Sequence, residues 1–225
     1  MKRNSLAVVM VFMLMLVSVN VLATGTTDWT VGQGGTVSFD GFSTVMGSGL
    51  AVTSVEGVGT PSHPSVIAPI ANGALTFSDS NFAGNIFGDL VWGPGAPGTL
   101  QITGSLSGGA NTTLLSDSFQ SLTIAPLGST SFQVTIGQIQ GMIDPSVASY
   151  FGVTQGFTAS SLQLTLNAST GFPGAFTSTN MGGTINAVDA NENWSLFSSL
   201  MLLLLIGSLL GMLTRARVLR VVLPA

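Results

Sequence analysis

The chain has 225 residues, enough for one domain with a sizeable core once its two apolar ends are set aside, and its five basic residues are Lys2, Arg3, Arg215, Arg217 and Arg220. All nine acids, Asp28, Asp40, Glu56, Asp79, Asp89, Asp117, Asp144, Asp189 and Glu192, lie between them, so positions 4–214 carry 0 − 9 = −9 formal charges. A segment with no cation cannot displace phosphate counterions, which excludes nucleic-acid binding, and the lack of cysteine excludes thiolate catalysis, Cys-type metal sites and a disulfide frame.

Residues 1–23 have the pattern of a secretory signal peptide: basic Lys2 and Arg3, an apolar run over 6–17, and small residues before a cleavage point between Ala23 and Thr24. An uncleaved anchor helix is the alternative. Export and cleavage imply the export machinery and a signal peptidase as partners.

Residues 24–188 form the predicted extracytoplasmic domain. Short apolar-polar alternation broken by Gly, Pro, Asn and Ser predicts strands over 36–39, 50–55, 74–77, 99–106, 130–139, 161–167 and 183–188. Phe132, Val134 and Ile136 share one face of such a strand, with Gly137 breaking the alternation by a bend or bulge. Leu162, Leu164 and Leu166 form a dry face against Gln163 and Thr165. Two sheets with dry faces can bury them together, which predicts an all-β fold, an antiparallel β-sandwich with a jelly-roll arrangement as one form of it. Residues 93–98 and 107–111 are loops, the second placed to close a hairpin. Asp144 as N-cap, Pro145 as first helical residue and Gly152 as stop predict one short helix over 145–151.

Residues 189–194 are the predicted linker, and the tether to the membrane is expected over 187–193. Residues 195–214 are apolar apart from a few serines and just reach the length of a bilayer span, with Trp194 where an interfacial aromatic belongs. Arg215, Arg217 and Arg220 in the tail 215–225 set that tail in the cytoplasm and the acidic domain outside. An outer-membrane barrel would end in a strand in place of this helix.

Signal, low-charge Gly/Ser/Thr-rich β-domain, linker, span and Arg cluster together resemble bacterial surface proteins of the PEP-CTERM type, which exosortase-like enzymes process. The phrases 74–77, 98–104 and 143–152 look like those of such exported domains. A Pro-Glu-Pro triplet precedes the span in that family. Here the stretch is 189–195, in which Glu192, Trp194 and Ser195 look more like the related tails with an acidic residue and a tryptophan before the span. The resemblance implies sorting to the cell envelope or secreted matrix, with an exosortase-like enzyme, extracellular polysaccharide or other surface proteins as partners. It implies no particular reaction.

His63, the single histidine, lies in a Pro-rich loop between Ser62 and Pro64, and no Gly-x-Ser-x-Gly elbow accompanies it. Asp79, Asn81 and Asp89 are candidate oxygen ligands for calcium, with turn formation as the plainer role. Trp29, Trp92 and Tyr150 serve either a core or a sugar-stacking surface. Gly32, Gly34 and Gly35 make a loop without the lysine a phosphate cradle needs. The expectation is therefore a non-enzymatic envelope or matrix protein without cofactor, held through one membrane helix. The alternatives are a carbohydrate-active enzyme using two of the carboxylates, or a calcium-assisted carbohydrate-binding or adhesive module.

Overall fold

The computed structural model describes residues 25–167 and 171–189. The predicted signal segment, the predicted linker beyond Asp189, the predicted span 195–214 and the tail 215–225 lie outside the described residues.

Among the described residues twelve strands and one helix follow in chain order: β1 Thr26–Val31, β2 Thr36–Phe39, β3 Val45–Val58, β4 Ile67–Asp79, β5 Phe82–Ile86, β6 Asp89–Trp92, β7 Gly98–Leu106, β8 Thr112–Phe119, β9 Ser121–Pro126, β10 Ser131–Ile143, α1 Pro145–Phe151, β11 Gly156–Asn167 and β12 Phe176–Asp189. The all-β class with one short helix is as expected, but the sandwich is not. Antiparallel pairing runs β1, β3, β4, β7, β8, β10, β11, β12 and back to β1, a ring of eight strands. The fold is a closed barrel.

The reason lies in the long strands. Half-buried alternation reports one dry face; it does not report whether that face meets a second sheet or curls onto itself. Strands β3, β4, β10 and β11 carry register shifts, at Gly47/Leu50, Ala71/Ala74, Ile136/Ile139 and Thr158/Ser161 among others, and each such irregularity bends and twists its strand. The predicted break at Gly137 is one of them, with Gln138 beside it at φ 55°.

Two ring positions are built from interrupted strands. β1 and β2 run one after the other along the same edges of β3 and β12, and β8 and β9 do the same along β10. The turn between β1 and β2 is tied down by buried Asn180, whose Nδ2 donates to Gly32 O at 2.8 Å while its carbonyl accepts from Gly34 N at 3.1 Å. The glycine-rich loop is thus a fixed crossing. β9 stays paired with β10 along its length and offers its other edge, at Leu122 to Ile124, to β6, which pairs with β5.

An eight-stranded barrel is just wide enough for side chains to fill it, and this one is filled. Trp29, Val37, Leu50, Val55, Leu75, Ile102, Leu115, Phe119, Val134, Ile136, Leu162, Leu164 and Ile185 are all buried. Gln101, Thr135 and Gln163 on the same strands face outward and are exposed. An apolar inside and polar outside reverse the arrangement of a barrel whose outer wall meets lipid.

Each mouth has its own plug. At one pole, α1 inserts Val147, Ala148 and Phe151. It begins as the sequence predicts: Asp144 accepts from Ser146 N at 2.8 Å, Pro145 opens the helix, and Gly152 ends it at φ 71°, a left-handed conformation that glycine adopts without penalty. Asp144→Ala should cost about 1 kcal/mol in equilibrium urea unfolding, the usual value of an N-cap. At the other pole the β5–β6 hairpin brings Phe82 and Trp92 onto Phe39, with ring centroids 4.9 and 5.1 Å away.

The register fixes what leaves each pole. Thr26 pairs with both Val188 and Val58, so both flanks of the domain emerge at the α1 pole. Phe39 pairs with Val45 and Phe176 at the opposite pole, about 45 Å away along the 14-residue strand β3. Strand β12 continues through Asp189 and Ala187 is buried, so the tether cannot start at Ala187 as the sequence suggested.

Candidate functional site

One surface depression lies at the pole opposite α1. It is a shallow cleft of about 380 Å³ lined by Ser38, Phe39, Asp40, Thr44, Met46, Phe176 and Thr177. A smaller one of about 130 Å³, lined by Thr44, Ser78, Asp79, Ser80, Pro97, Gly98 and Thr99, shares Thr44 with it. Both owe their shape to tight turns, and the carboxylates in them are committed to those turns. Asp40 Oδ1 accepts from Phe42 N, Ser43 N and Thr44 N at 2.8, 2.8 and 3.0 Å. Those backbone donors, Phe42 first, hold its carboxyl below the ordinary range. Buried Asp79 accepts from Asn81 N at 2.8 Å, and Asn81 Nδ2 donates in turn to Ala96 O.

The calcium candidates therefore do not converge. Asp79 and Asn81 stand at the root of the β5–β6 hairpin, whereas Asp89 pairs with Ile86 at its tip. Among the described residues, no group of three or more His, Asp or Glu side chains could hold a metal ion.

Trp29 and Trp92 are fully buried and are core residues. Tyr150 is half-buried and stacks on His63, centroids 4.1 Å apart and planes 6° from parallel, while His63 Nδ1 lies 2.7 Å from Tyr150 O. This exposed histidine latches the 59–66 loop to α1. Among the described residues, the exposed large aromatics are instead Phe42 and Phe87, on the β2–β3 and β5–β6 turns, joined by Ile86 and Leu127 on neighbouring tips.

One acid pair is close by register: Asp28 on β1 stands directly opposite Glu56 on β3. Desolvation and then the Glu56 charge raise the Asp28 carboxyl, as expected for like charges across a ladder. The pair sits on the outer wall and lines neither cleft.

Comparison with protein-family models, curated proteins and solved structures finds no match. The residues of this chain alone must carry its reading.

The predicted cleavage residues Ala23 and Thr24 lie outside the described residues, as do Glu192, Trp194, Ser195, Arg215, Arg217 and Arg220. Among the described residues no helix is long and apolar enough to cross a membrane. The residue that reading the sequence for chemistry missed is Asp117. It occupies an inward position of β8, between Leu115 and Phe119. Its signal was present: an acid on the apolar beat of a strand.

Proposed function

We propose that this chain is an exported cell-envelope or matrix protein with a structural or interaction role, its barrel displayed outside the cytoplasm on a helix at 195–214. The observation that carries this reading is the exit of both flanks at one pole, with Thr26 beside Val188. A cleaved leader before Thr24 and a span after residue 194 would then both lie under the α1 pole. The turns bearing Phe42, Ile86, Phe87 and Leu127 would project away from the membrane, toward other surface proteins or polysaccharide. A domain without Lys or Arg also suits an exterior address whose orientation is read from the cations at 215–220.

The resemblance to PEP-CTERM-type proteins supports the same address and adds an exosortase-like processing enzyme as partner. The barrel is then either held permanently or released when the tail is cut. Intact mass spectrometry of envelope and medium fractions tests this. The expected species begins near Thr24 and is found in the envelope with its tail or in the medium without it. A full-length chain retaining Met1 in the cytosol would overturn the proposal.

A further inference from the structure

Among the described residues, Asp117 is the one buried acid whose carboxylate has no turn to serve. Both of its oxygens are shielded from solvent and neither makes a well-formed hydrogen bond. The side chain projects where β8 meets β10, opposite Gly141. A Cβ at Gly141 would overlap Asp117 Oδ1, so the carboxyl occupies the space that glycine leaves. This junction, Leu115 to Ser118 against Gln140 to Ile143, is the shortest register in the ring.

Among the described residues no charged side chain stands beside Asp117, and the Met142 N–H is the one donor that favours its ionised form. Strands β7, β10 and β11 contain no Asp, Glu, His, Tyr, Lys or Arg, and β8 contains only Asp117 itself. At the nearby start of α1, the carboxylate of Asp144 caps Ser146 N, and on the same helix Tyr150 is stacked on His63. There is no Lys or Arg between positions 4 and 214. A buried carboxylate is normally rescued by a cation or by several donors; with the Met142 N–H acting on it and no cation, this one is relieved chiefly by a proton.

We infer that the β8–β10 junction is a pH-sensitive latch, closed while Asp117 carries a proton and loosened when Asp117 ionises. Desolvation pushes the carboxyl up to about 8, with the Met142 N–H offsetting only part of it. The folded state thus holds a proton that the unfolded chain releases near its ordinary carboxylate range. Stability is full below that range and is lost as pH rises through about 8.

The test is urea unfolding of the full chain in mild detergent from about pH 5 to about pH 9, with amide exchange corrected for its intrinsic rate. The unfolding constant should rise by up to about tenfold per pH unit below about pH 8. Exchange should accelerate first at 115–118 and 140–143. Asp28 drifts in the same direction, so the comparison is with Asp117→Asn, which should flatten the profile and protect the junction at alkaline pH. An unchanged slope in Asp117→Asn, or junction amides exchanging no faster than those of the β3–β4 ladder, would overturn the latch. Should Asp117→Asn not fold, infrared spectra of the wild-type chain decide. A protonated carboxyl C=O band at neutral pH that vanishes at alkaline pH supports the latch, and its absence at neutral pH overturns it.

Discussion

Trp92→Ala is expected to destabilise the barrel by about 4 kcal/mol, the usual cost of emptying a large aromatic site in a core. The indole is fully buried, lies edge-on to Phe39 at 87° and tilts against Phe82 at 5.0 Å. Its Nε1 donates to Ser43 O at 2.8 Å, tying the β5–β6 hairpin to the β2–β3 turn across the mouth. Removing it empties the plug and orphans that carbonyl, so a further 1 kcal/mol or so is at stake. Against a typical total of roughly 5–15 kcal/mol, the variant would be marginal. Trp92→Phe keeps most of the ring contacts and should lose about 1–2 kcal/mol. Equilibrium unfolding of both variants checks the order. If Trp92→Ala cost less than about 1 kcal/mol, the hairpin would not be closing that mouth.

What the sequence made legible follows from how local each signal is. The helix was readable to the residue because Asp144, Pro145 and Gly152 act on backbone groups within a few positions of themselves. Strand β2 coincides with its predicted 36–39, and Ile136 and Leu164 lie on the dry faces assigned to them. Strands β3, β4, β11 and β12 were found only as their most regular pieces, because bulges such as Gly47/Leu50 interrupt the period of two. β8 was missed because Leu114 and Leu115 are both buried, which breaks the alternation at a register shift between Ile102 and Thr103. β5 and β6 are short and punctuated by Gly84 and Gly88.

Closure was not legible at all. It depends on β1 meeting β12, Thr26 against Val188, across nearly the whole domain, and no local pattern encodes such a pairing. The chemistry fared similarly. Asp79 and Asp89 are ten positions apart in the chain, yet the β5–β6 register sets them at opposite ends of a hairpin. Asp28 and Glu56 are far apart in the chain and directly opposed in space.

The α1 pole offers the sharpest test of packing, because a glycine and an aromatic there define one space. Gly57 on β3 lies under the Phe151 ring, and a Cβ at that position would overlap the ring carbons and press on Thr60 Oγ1. Phe151 is fully buried, and its carbonyl accepts from Ser62 N at 3.0 Å. Phe151→Ala should therefore cost about 4 kcal/mol through the cavity it leaves, and Gly57→Ala about 2 kcal/mol through overpacking. The two are not independent. In the double variant the new methyl enters space the ring has vacated, so the total should fall short of the sum by about 1 kcal/mol or more. The contact with Thr60 survives, which keeps the rescue partial. A double-mutant cycle measured by urea unfolding reads the coupling directly. Strict additivity would mean that the ring does not sit over Gly57, and α1 would then not be the plug of this mouth.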